Sequence, residues 1–197
     1  VKVAVVDYGV GNLHSIRKSM ELFGARVEIT RSPKVLEESD AIVLPGVGAF
    51  GSALAEMPRE KVLEEILAGK PVLGVCLGMQ LLFDWSEEGG TPGLGLLRGR
   101  VVRLPRSVKI PHIGWNTIEV RRNHPIVADI SSGSYFYFVH SYYTEVEDEK
   151  IVISTSEYGV SFPAIVAHKN IIGTQFHPEK SGENGMRLLK NFISLIR

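Results

Sequence analysis

The sequence predicts an α/β fold, a single domain with a mainly parallel central sheet flanked by helices and with additional antiparallel strands. Three observations carry this. In the first half, short apolar runs alternate with stretches of helical spacing. Those runs are nearly continuous, as in parallel strands buried on both faces. From about Gly99 the texture changes to strands joined by short links. The 197 residues, 44% of them hydrophobic, suffice for one large core. No linker rich in Pro, Gly or Ser divides the chain, so residues 1–197 read as one domain.

Val3 to Val6 is the first strand. Asn12 to Phe23 follows as a helix, with Leu13, Ile16, Met20 and Phe23 on one face and Gly24 as its C-terminal stop. Val27 to Thr30 and Ala41 to Leu44 are strands, the latter halted by Pro45. Ala53 to Leu67 is broadly helical with an interruption expected at Pro58. Pro71 to Val75 is the fourth strand, and Leu77 to Phe83 the helix after it. Later strands are expected at Val101-Val102, Thr117 to Val120, Tyr135 to Val139, Ile151 to Ser154, Ala164 to Ala167 and Ile171 to Phe176. Lys169-Asn170 reads as a hairpin turn, and the acidic run Glu145 to Glu149 as a solvated loop. An amphipathic helix near Asn184 to Ile196 closes the order.

Composition narrows the function classes. Lys+Arg and Asp+Glu number 22 each, so no excess of cations favours a nucleic-acid or polyanion partner. The apolar start, Val1 to Val6, is only a few residues long and closed by Asp7, which reads as a strand rather than a signal peptide or membrane span. One cysteine leaves no internal disulfide framework and fits a reducing, cytoplasmic setting. Neither a cofactor nor a metal is called for.

That cysteine lies in Gly74-Val75-Cys76-Leu77-Gly78, between a buried strand and a helix start. A residue at such a turn is pushed out of the sheet to the helix N-terminus, where the dipole favours a thiolate. Small neighbours permit the bend, as in nucleophile elbows carrying serine. A lone cysteine is otherwise most simply a small buried hydrophobe, so a base must accompany it. Of six histidines, His177 has a distinctive neighbourhood, Gln175-Phe176-His177-Pro178-Glu179, at a strand exit. An extended His-x-Glu segment puts both side chains on one side. Glu179 then orients His177 and supports its imidazolium. For an oxyanion, the Leu77 N–H is the natural first donor, and a second is available in Pro45-Gly46-Val47-Gly48. These glycines also suit a phosphate cradle, but the lysine and Ser/Thr of a P-loop are missing.

Pro45-Gly46-Val47-Gly48, Gly74 to Gln80 and Phe176-His177-Pro178-Glu179 resemble, in chain order, the three signatures of triad (class I) glutamine amidotransferases. Asp7-Tyr8-Gly9-Val10-Gly11-Asn12-Leu13, Pro111 to Asn116 and Tyr135 to Tyr142 are similar to the glutaminase subunits of imidazole glycerol phosphate synthases. The resemblance covers almost the whole chain. It implies an amidotransferase-like fold and hydrolysis of glutamine to glutamate and ammonia. Cys76 would form a glutamyl thioester, His177 would serve as acid and base, and Glu179 would orient it. Backbone N–H groups of Val47 and Leu77 would hold the oxyanion, and Gly48, Gln80, Glu88, Ser141 and Tyr142 would grip the substrate. Glu88 offers a charge opposite to the substrate amine, and Gln80 lies one helical turn past Cys76. The implied partner is a (β/α)₈ cyclase subunit, in a heterodimer that makes imidazole glycerol phosphate and aminoimidazole carboxamide ribotide for histidine biosynthesis. Asn12, Trp115, Asn116 and Lys180 would lie near that interface. Competing readings are a glutaminase serving anthranilate, aminodeoxychorismate or pyridoxal phosphate synthesis, and a receiver-like module built on Asp7.

Overall fold

A computed structural model describes residues 1–9 and 11–196; Val10, within one of the resemblance motifs, and the terminal Arg197 lie outside the described residues. The first half alternates as expected: β1 (Lys2–Val6), α1 (Leu13–Glu21), β2 (Arg26–Thr30), α2 (Pro33–Glu38), β3 (Ala41–Leu44), α3 (Phe50–Glu56), α4 (Arg59–Leu67), β4 (Val72–Val75) and α5 (Leu77–Leu81). The interruption foreseen at Pro58 separates α3 from α4. The helix α2 is an addition: Pro33 opens it after Ser32, and Leu36 is its one buried residue.

Beyond α5 come β5 (Phe83–Ser86), β6 (Thr91–Pro92), β7 (Leu97–Arg103), β8 (His112–Thr117), β9 (Glu119–Val120), β10 (Tyr135–His140) and β11 (Tyr142–Val146). They are followed by β12 (Val152–Glu157), β13 (Ser161–His168), β14 (Ile171–Thr174) and α6 (Gly182–Leu195). Several boundaries correct the sequence reading. The helix after Cys76 ends at Leu81, and Phe83 begins a strand. Thr117 to Val120 is split, with Thr117 closing β8 and Glu119 opening β9. Glu145 and Val146 belong to β11 rather than to a loop. The last strand stops at Thr174, short of Phe176.

The main sheet runs β2-β1-β3-β4-β14-β13-β12-β9. From β2 to β14 its neighbours are parallel; β13, β12 and β9 continue it antiparallel. Alternate residues of β1 enter opposite cores, as the period of a strand requires. Val3 and Val5 pack with Ile16, Met20, Leu188, Leu189 and Phe192 of α1 and α6. Ala4 and Val6 pack with Phe50, Val62, Ile66 and Leu77 on the other face. Each large side chain fully withdrawn from water contributes roughly 1.5–3 kcal/mol, so both layers hold the sheet. Two smaller sheets, β10-β8 and β11-β7-β5-β6, complete the fold. Among the described residues no helix is long and apolar enough to cross a membrane.

The pairing of β14 with β4 decides where chemistry can occur. It is parallel, with Thr174 opposite Val75, and the Cys76 N–H donates to the Thr174 carbonyl at 2.7 Å. Two segments about a hundred residues apart therefore leave the sheet side by side.

Candidate active site

Cys76 stands in the turn between β4 and α5 with φ 50° and ψ −107°. A non-glycine residue held there is strained by about 1–3 kcal/mol. The helix that follows packs closely: at Gly78 a Cβ would lie 1.9 Å from the Leu44 carbonyl oxygen, so α5 starts tight against the end of β3. The helix is too short to supply much of the dipole expected from the sequence. Cys76 is only 6% exposed, and its sulfur has other company. Gln175 Nε2 lies 3.5 Å from it and donates to it, and the Val139 carbonyl oxygen lies 3.5 Å from it.

His177 follows β14 and is buried. Its Nδ1 lies 2.9 Å from Glu179 Oε1, which leaves Nε2 for the sulfur. Burial alone opposes charge on this imidazole. The Cys76 sulfur, by charge and hydrogen bond, and the Glu179 carboxylate outweigh it and push the His177 pKa up to about 10. The ring is held from behind: the His177 N–H donates to the Tyr137 carbonyl at 3.0 Å, and Ser181 Oγ donates to the His177 carbonyl at 2.6 Å. Gly46 fits between the two groups. A Cβ there would lie 3.0 Å from His177 Cε1 and 3.1 Å from Cys76 Cβ.

A cavity of about 340 Å³ opens in front of Cys76. It is lined by Val47, Gly48, Leu77, Gln80, Glu88, Ser141 and Tyr142 among others, so the expected oxyanion and substrate residues share one space. Gly48 has φ 118°, a conformation open chiefly to glycine. Glu88 Oε2 accepts from the Phe50 N–H at 3.4 Å, and Gln80 Nε2 donates to the Tyr142 carbonyl at 3.0 Å.

On the far side of Gly46 a small cleft gathers Asn12, Lys180, His177 and Glu179. Glu179 Oε2 is buried there without a hydrogen-bond partner among the described residues. Trp115 is 55% exposed and meets the Tyr137 ring edge-on at 5.7 Å. Asn116 differs from the other three expected interface residues. Its amide is engaged within the chain, donating to the Glu157 carbonyl at 2.9 Å. Asp7 caps a turn, accepting from the Gly9 N–H at 2.9 Å, and its other oxygen lies 3.7 Å from Arg31.

Sequence reasoning missed two participants. Gln175 reaches the sulfur, and its signal was its spacing: two residues before His177 in an extended run, it shares that face. His140 lines the cavity next to Ser141; it lies in the run Tyr135 to Tyr142 that carries the resemblance, but no role was read for it there.

The chain matches the family model "Glutamine amidotransferase class-I" over residues 4–195. It is 44% identical to the imidazole glycerol phosphate synthase subunit HisH of Caldanaerobacter subterraneus subsp. tengcongensis, over 99% of this chain and 98% of that one. Identity to the same subunit of Methanothermobacter thermautotrophicus is 47%, over 99% of each chain, and to that of Archaeoglobus fulgidus 48%, over 99% of each. Among solved structures, PurLQS from Thermotoga maritima superposes with a TM-score of 0.78 at 20% identity, over 100% of this chain and 99% of that one. A glutamine amidotransferase from the same organism gives 0.69 at 19%, over 98% and 83%. At such identities these two bear on the fold alone.

Proposed function

The chain belongs to the class I glutamine amidotransferase family, among the HisH subunits of imidazole glycerol phosphate synthase, and from that membership we propose how its residues divide the work. It is the glutaminase subunit of that synthase, and a cyclase subunit is its partner in histidine biosynthesis. Residues 1–197 act as one amidotransferase domain.

Cys76 is the nucleophile. Its thiolate attacks the side-chain amide carbon of glutamine, and the carbonyl electron pair moves to oxygen, where the backbone N–H groups of Val47 and Leu77 receive it. Collapse of this intermediate expels the amide nitrogen, which takes the proton from His177 Nε2 and leaves as ammonia. The γ-glutamyl thioester remains on Cys76. His177, now neutral, removes a proton from water; the hydroxide attacks the thioester, glutamate departs and the thiolate returns. Glu179 keeps the proton of Nδ1 in place throughout. Gly48, Gln80, Glu88, Ser141 and Tyr142 hold the amino acid, with Glu88 facing its ammonium group.

Ammonia released into neutral water would be protonated and lose its lone pair, so it must pass directly to the partner. We place the docking face at Asn12, Trp115, Asn116 and Lys180, of which Asn12 and Lys180 line the cleft behind Gly46. The location is cytoplasmic, where a reactive thiol stays reduced. The observation that supports this reading most is geometric: Cys76 lines a cavity fit for an amino acid, and the buried His177 behind it is flanked by that sulfur and, at 2.9 Å, by the Glu179 carboxylate.

The experiment is labelling with a glutamine-analogue electrophile, read by peptide mass spectrometry, beside Cys76→Ala. One adduct on Cys76 is expected, and the alanine variant should lose glutamine hydrolysis at least a thousandfold while keeping cyclase binding. An adduct elsewhere, or an active alanine variant, would falsify the assignment.

A further inference from the structure

Two buried histidines outside the triad, His112 and His140, touch each other. His112 Nδ1 and His140 Nε2 are 2.9 Å apart. The groups at either end of the pair fix where its protons sit. At one end, His140 Nδ1 lies 2.8 Å from the Tyr142 carbonyl oxygen, which can only accept. At the other, Asn116 Oδ1 accepts from the Thr117 N–H at 2.8 Å, and Nδ2 donates to the Glu157 carbonyl at 2.9 Å. The amide nitrogen of Asn116 is therefore what faces His112 Nε2, at 3.4 Å.

A neutral imidazole has one donor and one acceptor. Working inward from either end gives the same answer: both rings carry their proton on Nδ1, and every hydrogen bond runs from Asn116 toward Tyr142. Burial keeps both rings neutral, holding His112 at about 4 and His140 at about 3. His112 is also clamped between aromatic rings, Phe138 at 5.0 Å and Tyr158 at 3.9 Å, both near parallel.

The receiving carbonyl belongs to the cavity wall. Tyr142 O also accepts from Gln80 Nε2 at 3.0 Å. That nitrogen donates as well to Gln175 Oε1 at 3.2 Å, which turns the Gln175 amide nitrogen toward the Cys76 sulfur. A core of apolar side chains would fill this space without two buried donors that need partners. The polar chain does something packing alone does not: it fixes one carbonyl from behind.

We propose that His112 and His140 are positioning residues of the glutamine site, holding the Tyr142 carbonyl, and through it the Gln80 side chain, in the arrangement that receives substrate. The proposal rests on the glutaminase reading above.

Two variants separate hydrogen bonding from packing, each assayed for glutamine hydrolysis in the complex with the cyclase subunit. His112→Phe keeps a flat ring between Phe138 and Tyr158 but removes the donor to His140. His112→Asn keeps a donor near the Nδ1 position and loses the stack. Leaving a buried acceptor unmatched predicts a rise in KM for glutamine of about 5–30-fold in His112→Phe, with a smaller change in kcat. His112→Asn should recover most of it. An unchanged KM in His112→Phe, or an asparagine variant impaired as much as the phenylalanine one, overturns the proposal.

Imidazole ¹⁵N NMR of the wild-type protein tests the same polarity without any variant. Both rings should report the Nδ1–H tautomer, and an Nε2–H form on either one overturns it. The wild type measured against Cys76→Ala keeps the two readings apart. A wild type without Cys76-dependent hydrolysis defeats the glutaminase assignment itself. An active wild type with an unaffected His112→Phe defeats only the positioning role.

Discussion

At Cys76 the backbone and the chemistry set the same requirement. The strained φ of 50° points the side chain out of the sheet and sets its sulfur beside Gln175 and the Val139 carbonyl. This much was legible in the glycines around it and in the His-x-Glu run. Of the cavity wall, Glu88, Ser141 and Tyr142 were legible only through resemblance, because no local pattern marks them. Glu88 supplies a sharp test. It is the carboxylate among the residues lining the cavity, and its side chain accepts only a long hydrogen bond, from the Phe50 N–H, among the described residues. That leaves its charge for the substrate ammonium. A charge-assisted hydrogen bond contributes about 1.5–3 kcal/mol, partly screened at an open cavity. Glu88→Gln should therefore raise the KM for glutamine by roughly tenfold with kcat little changed. Steady-state kinetics that showed an unaltered KM would remove Glu88 from the substrate site.

At the scale of elements, the sequence reading failed where charge hid a strand. The run Glu145 to Glu149 reads as a solvated loop, yet Glu145 and Val146 lie in β11, opposite Arg100 and Gly99. One face of that sheet is open to solvent. Glu145 points there and lies 3.3 Å from Arg100 across the strands, while Thr144 beside it is fully buried. Arginines shortened the reading of β7 in the same way, leaving Val101-Val102 as its visible part. Phe83 misled for the opposite reason, since a buried apolar residue after a helical run fits either element. The strands buried on both faces were legible because their apolar runs are too short for a helix, rich in β-branched residues and bounded by turn residues such as Pro45 and Pro71. The junction of β4 and α5 depends on one missing side chain. A methyl at residue 78 would collide with the Leu44 backbone, which cannot swing aside as a flexible side chain would. Gly78→Ala is expected to destabilise the fold by about 3 kcal/mol and to lower glutamine hydrolysis by displacing Leu77. Urea unfolding checks the first effect; an unchanged midpoint would mean that α5 starts elsewhere.

Across the whole molecule, the buried imidazoles give the fold two opposed dependences on pH. His112 and His140 are depressed from the ordinary 6.5 to about 4 and about 3. Below pH 6.5 the unfolded chain takes up protons that the folded chain refuses. The stability these rings contribute is thus present above about 6.5 and is lost as the pH falls toward 4 and 3. The slope reaches about 1.4 kcal/mol per pH unit for each proton. His177 is displaced the other way, to about 10. Its contribution is full below about 6.5 and is lost as the pH rises through about 10. Carboxylates elsewhere also titrate in acid, so the informative quantity is the difference between variants. His112→Phe removes one depressed imidazole and should flatten the fall in stability between pH 6.5 and 4 relative to the wild type. Cys76→Ala removes the sulfur that holds His177 charged and should flatten the fall on the alkaline side instead. Denaturant midpoints at pH 4.5, 6.5 and 9.5 for the three proteins decide the matter. Identical acid limbs in wild type and His112→Phe would show that this ring is not held neutral by the fold, and identical alkaline limbs in wild type and Cys76→Ala would show that sulfur and imidazole do not share a charge.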